Sequence, residues 1–120
     1  MPYYSEPAQP FQQISVEALA ERLADATERP QLLDVREPGE IAIAQIEAFE
    51  NLPLSEFAQW ADSIQTRFDP EAETIVICHH GMRSAQMCQW LVMQGFTRVN
   101  NVIGGIDAYA VVIDASMPRY

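Results

Sequence analysis

The sequence predicts an α/β domain with a mainly parallel central sheet and helices on both of its faces. Two short apolar runs, Gln31–Val35 and Thr74–Ile77, are typical of buried parallel strands. Segments with helical spacing of apolar residues precede and follow these runs, and Gly or Pro residues separate the segments. Strands that alternate with helices in this way indicate a mainly parallel sheet.

In the first half of the chain, a serine and a proline mark the limits of a helix. Ser15 has the side chain of an N-cap, and Pro30 closes the helical unit. The elements predicted there are, in order, a strand at 11–14, a helix at 15–26, a strand at 31–35, a turn at 36–39 and irregular strands between 44 and 54.

In the second half, Ser55 is the predicted N-cap of a helix that ends before Asp69-Pro70 and places Phe57 and Trp60 in the core. Gly95 suits the position after a helix end, where the backbone is often left-handed. The elements predicted there are a helix at 55–68, a strand at 74–77, a helix from 83 to 94, a strand at 96–99 and a last helix that starts at 104.

Length, composition and charge limit the classes of function. The sequence predicts one domain at residues 11–120, preceded by an extended arm at residues 1–10 that holds three prolines. The net charge is −10, with seven arginines and no lysine, so nucleic acids and anionic membranes are not expected partners. No apolar run approaches the about 20 residues of a membrane helix, and no secretory signal is apparent. We therefore expect a cytoplasmic protein.

The segment from Thr74 to Ser84 carries the clearest chemical signal. A β-branched strand ends at Cys78, a short polar loop with Gly81 follows, and a helix begins near Arg83. This order places a thiol at the carboxyl end of a buried strand, where open α/β sheets bind ligands. The helix terminus, the amides of a tight loop and the arginine all favour an anion. The pattern predicts a cysteine that is held as a thiolate.

Three segments, in order, resemble the rhodanese-like sulfurtransferases. Asp34 to Glu40 resembles the Asp-Val-Arg-x-x-x-Glu element of that family, and Cys78 to Ser84 resembles its active-site loop. Gly104 to Tyr109 resembles the turn that leads into its last helix. The resemblance covers about residues 11 to 112 and departs from the family pattern at 44–50, where glycines and a proline are missing.

The resemblance implies a sulfurtransferase with no cofactor. Cys78 would take a sulfane sulfur from a donor, become a persulfide and pass the sulfur to a thiophilic acceptor. The implied donor is a small anion such as thiosulfate, or the persulfide of a partner protein. No metal site is predicted at Cys78, His79 and His80, because adjacent side chains diverge and no fourth ligand is apparent. The residues implied in substrate binding are His79, His80, Gly81, Met82, Arg83 and Ser84.

Two other functions remain open. A rhodanese-like module can relay sulfur within a complex, or dock another protein, without thiosulfate turnover of its own. Cysteine-dependent phosphatases and arsenate reductases on a similar fold have a loop one residue longer than the four residues between Cys78 and Arg83. The shorter loop suits a single sulfur atom better than a tetrahedral oxyanion.

Three further residues have more local interpretations. Asp34 and Arg36 are candidate accessory residues of the site, but a structural pair, such as Arg36 with Glu40, is the favoured interpretation. Cys88 lies on the apolar stripe of its helix and is predicted to belong to the core.

Overall fold

A five-stranded parallel sheet forms the centre of the protein. This computed structural model describes residues 11–25, 27 and 29–120. The arm predicted at residues 1–10, and Ala26, which was predicted to belong to the first helix, lie outside the described residues. The strands are β1 Gln12–Ile14, β2 Gln31–Asp34, β3 Glu50–Asn51, β4 Thr74–Ile77 and β5 Val99–Val102. Their order in the sheet is β1-β5-β4-β2-β3, and all neighbouring strands are parallel.

Helices cover both faces of this sheet, which confirms the predicted fold class. The helices are α1 Val16–Ala24, α2 Pro38–Ile43, α3 Phe57–Trp60, α4 Ile64–Arg67, α5 Met82–Met93 and α6 Gly105–Val112. One face packs against α3, α4 and α5, and the other against α1 and α6. None of the described helices is long and apolar enough to cross a membrane.

The central strands supply the core on both sides of the sheet. On β4, Val76 belongs to the apolar cluster under α5, whereas Ile75 and Ile77 belong to the cluster under α1 and α6. On β2, Leu33 likewise belongs to the cluster under α5, and Leu32 belongs to the cluster under α1 and α6. This division follows from the alternation of side chains along a strand. Because both faces are covered, consecutive apolar residues lie at the centre of β2 and along most of β4, as the apolar runs predicted.

The strand predicted at 96–99 was misplaced, because β5 begins at Val99. Phe96 is buried, but its N–H donates to the carbonyl of Leu91 at 3.0 Å. It therefore belongs to the turn that closes α5. Gly95 has a φ of 96° in this turn, which confirms its predicted place after the helix end.

The helix predicted at 55–68 is broken into short α-helical and 3-10 turns. Ser55 does not cap a helix, because its hydroxyl donates to the carboxylate of Glu37. A bond to a carboxylate is charge-assisted and therefore stronger than one to a backbone group. Trp60 is buried as predicted, whereas Phe57 is 37% exposed at the edge of the core.

Helix α2 begins within the turn predicted at 36–39 and covers residues 40–43, for which no element was predicted, whereas β3 lies within the irregular strand region predicted at 44–54. The carboxylate of Glu40 accepts the N–H of Glu37 at 3.0 Å, and Pro38 fills the first helical position, where no N–H is needed. Ser15, by contrast, caps α1 as predicted and accepts the N–H of Ala18 at 3.1 Å. Helix α2 matters for the site because it carries Glu40.

Gly105 should tolerate no side chain. Its φ is 61°, and a Cβ would lie 2.4 Å from the carbonyl oxygens of both Cys78 and His79. We expect Gly105→Ala to lower the free energy of unfolding by roughly 2 kcal/mol or more, through the left-handed backbone and the overlap. Urea unfolding measures this change. Gly39→Ala is the matched control, because no atom lies within 4 Å of a Cβ at Gly39. Equal midpoints for the two variants would contradict the prediction.

Candidate active site

Cys78 follows the last residue of β4, at the carboxyl edge of the sheet. Since β4 lies between β2 and β5, the ends of both neighbouring strands flank the loop that begins here. The residue is 1% exposed. The sequence predicted this position for Cys78. Open parallel sheets bind ligands at this edge.

The first carbonyl groups of the loop face the last helix. The N–H of Ile106 donates to the carbonyl of Cys78 at 2.8 Å, and the N–H of Asp107 donates to the carbonyl of His79 at 3.1 Å. Both donors belong to the first turn of α6, where amides have no partner within the helix. With these carbonyls held on the side of α6, the amides that follow them face the opposite side.

Two donors contact the sulfur of Cys78. The N of Gly81 lies 3.1 Å from Sγ, and the Oγ of Ser84 lies 3.3 Å from it. Gly81 is the N-cap of α5 with a φ of 103°, and Ser84 is buried in the first turn of the same helix. The positive end of the α5 dipole therefore lies beside the sulfur. This environment suits a negatively charged sulfur.

The second cysteine is unsuited to the same chemistry. Cys88 lies on α5 and is 0% exposed, which confirms the predicted core role. Burial raises the pKa of its thiol to about 12. The thiol of Cys88 stays protonated at neutral pH, and only a thiolate is an effective nucleophile.

Arg83 forms an ion pair with a carboxylate of α2. Its two terminal nitrogens donate to the two oxygens of Glu40 at 2.6 and 2.8 Å. These hydrogen bonds lower the pKa of Glu40 to about 2 and raise the pKa of Arg83 above its usual value. The pair places Arg83 at the edge of the loop, but most of its charge is neutralised before any substrate arrives.

Arg36 forms a structural ion pair, as the sequence analysis favoured, but Glu40, the partner suggested there, was wrong. The guanidinium of Arg36 instead binds the carboxylate of Asp34, with contacts of 2.7 to 3.1 Å, and both residues are buried. Towards Glu40 it makes only one bond, from Nη1 to the backbone carbonyl at 3.3 Å. A buried charge needs a partner at short range, and Asp34 is the buried carboxylate that the strand end supplies.

Three rings contact one another beside the loop, one pair stacked and the other tilted by 31°. The ring centroids of His79 and Tyr120 are 3.9 Å apart with an angle of 5° between planes, and those of His79 and His80 are 3.8 Å apart. The predicted divergence of the histidines was therefore wrong. The hydroxyl of Tyr120 lies 2.9 Å from both Arg36 and Glu40, accepting from the first and donating to the second. Burial is the main cause that lowers the pKa of His79, and the nearby His80 is the second. Both favour the neutral form of His79.

His79, His80 and Asp107 each offer a possible metal ligand within 4.8 Å of the others. Arg119 already donates to both carboxylate oxygens of Asp107, at 2.9 and 3.1 Å. The geometry therefore disfavours a shared metal ion at this cluster.

The loop opens into a pocket of about 220 Å³. Met82 is 78% exposed at its rim. Gly81 and Ser84 contact the sulfur but do not line the pocket, and Asp34 and Arg36 do not line it either. The pocket is lined by Cys78, His79, His80, Met82 and Arg83.

Asn101 belongs to this site and was not identified from the sequence. It lies on β5, is 3% exposed and accepts the hydroxyl of Ser84 at 2.5 Å. The available signal was the polar pair Asn100-Asn101 within a buried strand. That signal was missed because the predicted strand ended at Val99.

Comparison with known proteins gives a consistent result. A family model for the rhodanese-like domain matches residues 15–111. The chain is 43% identical over 114 residues to the Rhodanese-like/PpiC domain-containing protein 12, chloroplastic, of Arabidopsis thaliana, covering 93% of this chain but only 38% of that protein. It is 38% identical over 98 residues to a protein named Sulfurtransferase from Allochromatium vinosum, covering 82% of this chain and 87% of that protein.

A solved structure shows the same fold. The rhodanese-like domain protein of Staphylococcus aureus aligns with a TM-score of 0.73 at 24% identity, covering 92% of this chain and 99% of that chain. The family match spans both the loop that begins at Cys78 and the turn at Gly104-Gly105 that supports it. With its sheet order, its cysteine loop and this match, the chain belongs to the rhodanese-like domain family.

Proposed function

We propose that this protein moves a sulfane sulfur from a donor to a thiophilic acceptor through a persulfide on Cys78. The observation that carries the proposal is the environment of Sγ, which lines a pocket and has the Gly81 N–H at 3.1 Å and the Ser84 hydroxyl at 3.3 Å. Membership of the rhodanese-like family, and a relative named Sulfurtransferase, support the same class of reaction.

With thiosulfate as the donor, the thiolate of Cys78 attacks the outer sulfur atom. The S–S bond of thiosulfate breaks, sulfite leaves with the electron pair, and a persulfide forms on Cys78. The terminal sulfur then carries the negative charge within the loop formed by His79, His80, Gly81, Met82, Arg83 and Ser84. Fixed N–H groups stabilise such a charge without a proton transfer.

The second step restores the thiolate. An acceptor such as cyanide or a thiolate attacks the terminal sulfur and forms a bond to it. The persulfide S–S bond breaks, and its electron pair remains on Sγ of Cys78. The donors from Gly81 and Ser84 contact this atom and stabilise it as a leaving group.

The ion pair of Arg83 bears on the identity of the donor. An anionic donor has to compete with Glu40 for this arginine, and it has to approach a protein with a net charge of −10. This observation favours a second candidate function, a sulfur relay in which the persulfide of a partner protein loads Cys78. Thiosulfate turnover and relay use the same chemistry on Cys78 and differ in the donor.

We propose a cytoplasmic location as part of this function. Both cysteines are free, and a reducing compartment preserves free thiols. The word chloroplastic in the name of the Arabidopsis relative applies to that protein. Cell fractionation with an antibody to this chain tests the location.

The first prediction from this proposal concerns the nucleophile. Thiosulfate should add one sulfur atom to the intact protein, and cyanide should remove it as thiocyanate, both measured by mass spectrometry. Cys78→Ser should show neither step, because the attacking sulfur is lost. Cys88→Ala is the matched control and should retain both steps, since its thiol is buried and protonated. Sulfur transfer that survives Cys78→Ser would refute the mechanism.

The second prediction concerns the donor. Glu40→Gln leaves Arg83 without its neutralising carboxylate, so the KM for thiosulfate should fall roughly five-fold, which corresponds to about 1 kcal/mol for a partly exposed pair. Arg83→Ala should raise the KM. Glu50→Gln is the control, because Glu50 pairs with Arg67 away from the pocket. If neither change at the Arg83 pair alters the KM, thiosulfate does not bind there and the relay is favoured.

The third prediction concerns pH. The folded-state pKa of Glu40 is about 2, below its ordinary value of 4.5. The carboxylate therefore stabilises the fold above about pH 4.5, and this contribution is lost as the pH falls towards 2. The difference in free energy of unfolding between the parent and Glu40→Gln should shrink over that interval in urea titrations. For the exposed Glu50→Gln the difference should be small at every pH. A parent–variant difference for Glu40→Gln that stays constant would show that the pair does not stabilise the fold.

A further inference from the structure

Asn101 occupies a central place beneath the active-site loop. It lies on β5, between β1 and β4, and is 3% exposed. Its Nδ2 donates to the backbone carbonyl of Gly81 at 3.2 Å and to the side chain of Gln13 at 3.1 Å, and its Oδ1 accepts from Ser84 at 2.5 Å. A buried amide is stable only when its polar atoms are paired, so these contacts fix the side chain.

The carbonyl of Gly81 determines which way the amide of Asn101 faces. A carbonyl oxygen can only accept, so the group opposite it must be the NH₂, and Oδ1 must therefore face Ser84. Two of the three residues that Asn101 binds, Gly81 and Ser84, also contact the sulfur of Cys78. One side chain thus holds both donors.

The hydroxyl of Ser84 has one hydrogen and two neighbours that can accept it. While Cys78 is a thiol, the S–H can donate to Oγ of Ser84, and the hydroxyl hydrogen stays on Asn101. When the sulfur is a thiolate, the hydroxyl can rotate away from Oδ1 of Asn101, give up that hydrogen bond and donate to the sulfur at 3.3 Å. Asn101 holds Ser84 at the place from which this rotation reaches the sulfur.

We propose that Asn101 is a positioning residue for sulfur transfer, which acts on Cys78 through the peptide of Gly81 and the hydroxyl of Ser84. This inference rests on the proposed function. In the discharge step, the acceptor bonds to the terminal sulfur, the S–S bond breaks, and Sγ retains the electron pair. Asn101 keeps the two donors aligned with the atom that receives this charge.

Asn101→Leu tests the proposal, since it replaces the amide by an apolar group of similar size. Misaligning two donors should slow the discharge of the loaded protein to cyanide roughly 10-fold or more. The variant should also shift the pH profile of Cys78 alkylation by iodoacetamide, which a purely structural role would not do. Single-turnover mass spectrometry measures the first effect, and the alkylation rate measures the second.

Asn100→Leu is the matched control. Asn100 is the neighbouring residue on β5, is 7% exposed and donates to Glu73 at 3.2 Å, away from the loop. The Asn100→Leu variant should lose a comparable amount of folding stability but retain the discharge rate and the alkylation pH profile of the parent. Equal behaviour of the two leucine variants in both measurements would overturn the proposal.

Two further variants complete the test. If Asn101→Leu does not fold, Asn101→Asp keeps the size and the acceptor for Ser84 but removes the donor to Gly81, and it should also slow discharge and shift the pH profile. In a Ser84→Ala background, Asn101→Leu should slow discharge by a smaller factor than it does in the parent, because part of its effect on the rate passes through the Ser84 hydroxyl. If the parent never accepts sulfur, the proposed function fails, whereas the alkylation profiles still decide whether Asn101 positions the groups around Cys78.

Discussion

The loop that follows Cys78 depends on hydrogen bonds with a helix that is distant in the sequence. The first amides of α6, at Ile106 and Asp107, hold the carbonyls of Cys78 and His79. Because the C=O and N–H of one peptide group point in opposite directions, fixing these carbonyls also directs the following amides away from α6. Gly105 makes the close approach possible, since no Cβ fits between the helix and the loop. The loop and the start of α6 therefore form one structural unit.

The charges around this unit are largely balanced. Arg36 is paired with Asp34, Arg83 is paired with Glu40, and Asp107 is paired with Arg119. Stabilisation of a sulfur anion therefore depends on nearby N–H and O–H dipoles more than on an unpaired cation. Contacts of this kind act over short distances and are less sensitive to salt than the attraction between exposed charges.

The sequence predicted the fold class, the central strands and the loop that surrounds the sulfur, because these features depend on residues that are close together in the chain. The contacts of Asn101 and Tyr120 could not be predicted in this way. Each joins segments that only the folded sheet brings together, such as β5 with the loop or the residue at 120 with Glu40. The strand at β5 was misplaced for a related reason, since the burial of Phe96 comes from its contact with the end of α5.

The loop is held from several sides, by the amides of α6, by Asn101 and by the pair of Arg83 with Glu40. Such a loop is already arranged before the reaction and needs little reorganisation when charge appears on sulfur. The same restraint limits how the site can evolve. A larger oxyanion would require a wider loop, and widening it would break contacts with α6, β5 and α2 together. Single side-chain replacements are therefore a poor route to new chemistry here, whereas an insertion accompanied by changes in the supporting elements offers one.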